Sequence, residues 1–332
     1  MTLALQQIRV PLRAAMAVPL DQVECTHGAA PRAARMYTRF FGQETVWLHP
    51  APHVAMLGEA LGRLVDDRPD LRDVAGIGLY AKTQTHNTPA DQDWLRGLFA
   101  SLGLHLWDVA TVSMTNCASA LAALHLYGHQ ARPVLVLAGE KAFHPFGNRL
   151  SVGLLGEAPV VALFDGQAGG RRIMSSHVQH LARFYRNPDD MAEADKRAMQ
   201  ADFEPGFVAF LAAVRTGDPD FFASAPVVVP YNLNLPLVQR VLRAAGLGDQ
   251  VIAGHSGCGG HAFCSDPFLN LAHLSAPAHR PILLLTAGMG VTYAALCLAA
   301  PDDDPIRDPF NLAKMERPRG PKSSDHPERR VE

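Results

Sequence analysis

Apolar positions along this chain fall in short runs, mostly bounded by Gly, Pro or Asp. Ile77–Tyr80, Val134–Leu137, Val160–Phe164, Val227–Val229 and Ile282–Leu285 are rich in Val, Ile and Leu and lack polar alternation. Runs of that kind predict strands covered on both faces. Between them the period changes. Ala118–Tyr127 puts Leu121, Leu124 and Tyr127 on one helical face, and Leu235–Ala245 does so with Leu235, Val238, Val241 and Leu242. Strands alternating with amphipathic helices predict an α/β fold.

The series runs twice. A first half spans residues 1–168 and closes where the run Val160–Phe164 reaches Asp165-Gly166. A second half spans 169–300. It opens with a polar stretch from about Ser175 to Thr216, read here as helix-prone, and resumes the strand–helix order at Val227. Residues 301–332 are rich in Pro, Asp, Arg and Lys, and most of this stretch reads as a solvated, flexible tail.

Composition narrows the function. Hydrophobic residues make up 48% of the 332 and charged residues 19%, as in a compact globular protein. A formal net charge of −2 offers no basic footprint for nucleic acid. No apolar run is long enough for a membrane helix. The first twenty residues carry arginines inside their apolar stretch, so no signal peptide is expected. Five cysteines, at 25, 117, 258, 264 and 297, form an odd and irregular set that points to a reducing cytoplasm rather than a disulfide framework.

Four segments could carry chemistry. In Thr111–Leu124 a strand-like piece runs through a small-residue turn into a helix, with Cys117 at its start. Unpaired N–H groups at such an end favour a thiolate, although a buried structural cysteine is the commoner fate. In Val227–Val238 a strand ends in a polar turn holding Tyr231, Asn232 and Asn234; either asparagine could equally cap the helix that follows. Gly254–Asp266 is Gly-rich and holds His255, Cys258, His261 and Cys264. That run could bind a metal, but zinc sites space their ligand pairs more widely and glycines break the run, so no metal is expected there. Leu285–Tyr293 carries a second Gly-rich turn, whose N–H groups could serve half of an oxyanion hole.

In order and context, these four segments resemble the β-ketoacyl-acyl-carrier-protein synthase III family, from about Ile8 to Ala299. Asn116-Cys117-Ala118-Ser119 matches the family's nucleophile turn. Pro230-Tyr231-Asn232-Leu233-Asn234 stands where the family has Pro-His-Gln-Ala-Asn, Gly260-His261 where it has Gly-Asn, and Gly288–Tyr293 where it has a late glycine turn. The resemblance implies a thiolase fold, with two pseudo-symmetric βαβαβ halves in a five-layered α-β-α-β-α arrangement, and a homodimer. It also implies Cys117 as the acyl-carrying nucleophile, and backbone N–H groups of Cys117 and Met289 as the oxyanion hole. Thr88 would reach a neighbouring subunit's substrate pocket. An acyl-CoA or an acyl carrier protein would be the donor, with no further cofactor.

The departures shape the expected reaction. Tyr231 occupies the family's histidine position, and the histidine stands instead at His261, with His255 six residues earlier as the rival. The early Trp–Arg stretch used near the pantetheine tunnel is not recognisable. Asn232 could fix the tautomer of the histidine. One histidine beside a cysteine suffices for acyl transfer to a small-molecule acceptor, whereas decarboxylative condensation needs two donors, here Tyr231 and His261. Acyl transfer is therefore the favoured reading, condensation the alternative, and a non-catalytic partner subunit of a heteromeric synthase the reading of another class.

Overall fold

The computed structural model describes residues 3–11, 15–23, 31–83, 93–142, 149–150, 153–167, 169–184, 191–250, 260–273, 279–301 and 315–316. Within these residues the main strands are β1 (Ala4–Pro11), β2 (Gly76–Ala81), β3 (Trp107–Val112), β4 (Val134–Ala138), β5 (Val160–Asp165), β6 (Arg171–His180), β7 (Val227–Val229), β8 (Ile282–Gly288), β9 (Thr292–Leu298) and β10 (Met315–Glu316). The principal helices are α1 (His53–Asp67), α2 (Asp93–Ser101), α3 (Ser119–Tyr127), α4 (Glu193–Gly217), α5 (Leu235–Ala244) and α6 (Asp266–Ala272).

The strands order as β7-β8-β9-β6-β1-β5-β4-β2-β3, with β10 beside β1. Two similar sheets meet where Ala4 and Leu5 of β1 pair with Arg172 and Arg171 of β6. In the first, β1 and β5 are antiparallel, β5 and β4 antiparallel, and β4 and β2 parallel. In the second, β6, β9, β8 and β7 repeat that sequence of senses. The doubling read along the chain is thus a doubling of topology.

Helices α3 and α6 hold equivalent places and pack between the two sheets. One continuous core joins Leu121 and Leu124 of α3 and Phe268 and Leu269 of α6 to Ile77, Val136 and Val160 on one sheet and Val229, Leu284 and Leu296 on the other. Burying each such side chain contributes about 1.5–3 kcal/mol. A second core lies outside the first sheet, under α1 and α2, and a third outside the other, under α4 and α5. Helix, sheet, helix, sheet, helix is the expected layering.

One expectation needs correction. The polar stretch from Ser175 is not helix at its start: it belongs to β6, which pairs with β9 from Ile173 to His180. Ladder hydrogen bonds override its weak apolar pattern, and among the described residues the α-helix of this stretch begins at Glu193. Within the C-terminal stretch, Met315–Glu316 pairs in parallel with Val10–Pro11.

Candidate functional site

Each inner helix is entered through a single 3₁₀ turn, Asn116–Ala118 before α3 and Phe263–Ser265 before α6. The first residue of each turn is left-handed, Asn116 at φ 49° and Phe263 at φ 53°. Such a φ is uncommon for a residue with a side chain, and two of them in matching positions mark bends that the surroundings enforce. Cys117 and Cys264 are the middle residues of the two turns. They differ in exposure: Cys117 is partly exposed, whereas Cys264 is buried with its thiol donating to Asn116 O at 3.2 Å.

The nucleophile turn is tied to the far sheet. Asn116 Nδ2 donates to Met289 O at 2.8 Å, and Thr286 Oγ1 donates to Cys117 O at 3.2 Å. Gly288 lies so close that a Cβ there would sit 2.0 Å from Thr115 O and 3.1 Å from Ala118 N. Only glycine lets the end of β8 approach the turn that carries Cys117.

His261 arrives from the second half. Its own N–H donates to Leu154 O at 3.0 Å and its carbonyl accepts from Gly156 N at 2.9 Å. Gly260 before it has φ 76°, and a Cβ there would lie 2.6 Å from Leu154 O. The buried ring then reaches Cys117, with Nε2 3.1 Å from Sγ. On its other side Nδ1 lies 2.5 Å from Asp266 Oδ2.

Asp266 is fully buried at the first position of α6. Besides the imidazole it accepts the N–H of Asn232 at 2.7 Å and the N–H of Ala262 at 2.7 Å. Burial alone would lower the basicity of His261. The carboxylate of Asp266 and the sulfur of Cys117 outweigh burial and hold its pKa well above the ordinary value. The arrangement is a cysteine, a histidine and a carboxylate in line. In such an array the histidine moves protons at the sulfur and the carboxylate fixes its tautomer.

Sequence reasoning gave Asp266 no role, although its position beside Pro267, just after the Gly-rich run, is the signal that could have found it. Asn232 does not set the tautomer of His261. Its Nδ2 lies 3.4 Å from Asp266 Oδ1, and its Oδ1 accepts from Asn270 Nδ2 at 2.8 Å, so it stands behind the carboxylate. A carboxylate is the stronger acceptor for Nδ1–H and takes that place. Asn234 caps α5, its side chain accepting from Leu237 N.

Tyr231 packs edge-on to His261, with ring centroids 6.4 Å apart. Burial, then the neighbouring Cys117, push its hydroxyl far above the usual range, so it stays neutral. Met289 is partly exposed on the turn beside Asn116. Thr88, His255 and Cys258 lie outside the described residues. Of the metal-like run, His261 is committed to Cys117 and Asp266, and Cys264 to Asn116 O.

No protein-family model and no curated protein sequence matches the chain. Solved structures do. ChlB3, described as an acyltransferase, superposes with a TM-score of 0.77 at 14% identity, over 93% of this chain and 100% of that one. The 3-oxoacyl-(acyl carrier protein) synthase III FabH from Pseudomonas aeruginosa gives 0.68 at 14%, over 91% and 99%. Cerulenin-bound OleA of Xanthomonas campestris gives 0.70 at 10%, over 90% and 99%. With the doubled topology and the five layers, these likenesses show that the chain has the thiolase fold, in the form seen in the synthase III-like proteins.

Proposed function

We propose that the chain is an acyltransferase that carries an acyl group on Cys117. The observation that carries this reading is the line Cys117–His261–Asp266, with contacts of 3.1 and 2.5 Å. The Cys117 thiolate adds to a thioester carbonyl, and the carbon–sulfur bond to the donor breaks. The donor thiolate takes a proton from the His261 imidazolium and leaves. His261, now neutral, takes the proton of an incoming hydroxyl or amine as that group attacks the acyl-cysteine, and the Cys117 thiolate is released beside the restored imidazolium. The backbone N–H groups of Cys117 and Met289 serve the oxyanion; the ties among Asn116, Thr286, Gly288 and the nucleophile turn support that assignment.

The donor is an acyl-CoA or an acyl carrier protein thioester, and the acceptor a small molecule. Two likenesses support these choices: ChlB3 is described as an acyltransferase, and the synthase III neighbours are named for the acyl carrier protein. Tyr231 in place of a second histidine favours transfer over decarboxylative condensation, because a neutral buried hydroxyl is a weaker partner for a developing enolate. The chain acts as a homodimer joined along β3. Among the described residues β3 pairs with β2 alone, Asp108 is exposed and Val109–Val112 are partly exposed, and Met114 just after it is 84% exposed.

The test separates the two chemistries. Protein acylated from a thioester panel is freed of donor, then given either a set of alcohols and amines or malonyl thioesters. Transfer predicts an ester or amide and no carbon dioxide. Release of carbon dioxide with a β-keto product from malonyl thioester would replace transfer by condensation. An acyl-cysteine that discharges to neither within hours would point to the non-catalytic subunit.

A further inference from the structure

A second cluster of reactive side chains lies at the outer face of the second sheet, away from Cys117. Ser175 and His177 of β6 point to the same side as Cys297 of β9, which pairs directly with Ser175. Asp218, the residue that ends α4, lies over them. Three groups converge on one carboxylate oxygen. Ser175 Oγ donates to Asp218 Oδ2 at 2.6 Å, His177 Nε2 lies 2.6 Å from the same atom, and Cys297 Sγ stands 4.0 Å from it.

We propose that His177, Asp218 and Cys297 bind one zinc-type divalent cation. Nε2, Oδ2 and Sγ all lie within 4.8 Å of one another. A tetrahedral zinc site with bonds of about 2.0–2.3 Å holds its ligand atoms roughly 3.3–3.8 Å apart. His177 and Asp218 therefore separate slightly, and Cys297 draws in. The first two can move, with side chains 29% and 22% exposed, and they leave the cation an entry path. Cys297 is wholly buried. One imidazole, one carboxylate and one thiolate suit zinc and cobalt rather than magnesium or calcium. On binding, the Cys297 thiol gives its proton to solvent and the thiolate ligates. Ser175 Oγ or a water completes the coordination. The bound cation would pin the C-terminal end of α4 to the sheet. These residues stand 41 and 79 positions apart, so no local spacing announces them, and they are separate from the run His255–Cys264.

The full-length protein, stripped with a chelator, is titrated with cobalt(II) and then zinc. Expected is one equivalent of cobalt with a near-ultraviolet thiolate-to-cobalt band that zinc displaces. Cys297→Ala abolishes the band. His177→Gln, at a half-exposed position that leaves the core intact, weakens binding by roughly 100-fold or more, beyond what losing a group behind a ligand usually causes. Cys117→Ala keeps the band. Absence of the band at stoichiometric cobalt overturns the proposal, as does a band indifferent to His177→Gln and Cys297→Ala. A band lost instead with Cys117→Ala or Cys258→Ala also overturns it by moving the metal elsewhere.

Discussion

Asp266→Asn is the most informative single change in the site. The carboxylate meets four N–H groups, from the His261 ring, the backbone and side chain of Asn232, and the backbone of Ala262. An asparagine keeps one acceptor and turns an NH₂ toward donors that have no use for it. A hydrogen bond to a charged group contributes about 1.5–3 kcal/mol, so losing the orientation of His261 alone slows acylation by roughly 10- to 150-fold. Loss of the correct tautomer raises this toward about 10⁴. We expect a fall between about 10² and 10⁴ in single-turnover acylation, followed by quenched-flow mass spectrometry. The charge that holds His261 protonated is also removed, so the alkaline limb of the acylation profile moves to lower pH. A fold effect is separated by a cycle. Because Asp266 acts through His261, Asp266→Asn added to His261→Ala should slow acylation little further. Acylation within threefold of wild type in folded Asp266→Asn would refute the in-line triad.

Other outcomes follow from the same contacts. Glu140 is fully buried, accepts from Thr83 N and Thr83 Oγ1 at 3.0 and 2.8 Å, and is pushed up from 4.5 to about 7 by burial. Between those values the folded chain binds more protons than the unfolded one. Stability therefore falls as pH rises through that window, by up to about 3 kcal/mol. Glu140→Gln should remove that falling component from urea midpoints, and an unchanged slope would contradict it. His53 works the other way, since burial takes it down to about 4, so its contribution rises with pH from there to 6.5. Gly288→Ala should destabilise by about 3 kcal/mol and slow acylation, because its Cβ meets backbone rather than a movable side chain. Near-native urea stability for that variant would show that the turn can yield.

The fold was legible because β2, β4, β5, β7 and β8 are continuous apolar runs and α3 and α5 carry apolar residues at helical spacing. Even the doubling could be read, since the strand–helix order resumes at Val227 after the polar stretch. The start of β6 was not, because the half-exposed residues 175–178 leave little apolar signal and the backbone ladder decides the structure. The proximity of Cys117 and His261 followed from aligned motifs and not from local chemistry. Asp266 escaped because no motif names it: its role appears only when α6 brings a first-turn carboxylate behind the imidazole. The cluster at His177 and Asp218 was hidden in the same way, by sequence distance.

The central claim is that Cys117 carries the acyl group. It is tested most directly by incubating the protein with an acyl-CoA and acyl-carrier-protein thioester panel, measuring intact mass and mapping the modified peptide. The account predicts one acyl increment, on the peptide containing Cys117, absent in Cys117→Ala and retained in Cys258→Ala and Cys264→Ala. His261→Ala should form it about 10²- to 10⁴-fold more slowly. An increment that forms at the wild-type rate in Cys117→Ala would contradict the covalent mechanism. A large loss in His255→Ala with none in His261→Ala would keep the thioester and assign the proton transfers to the other histidine.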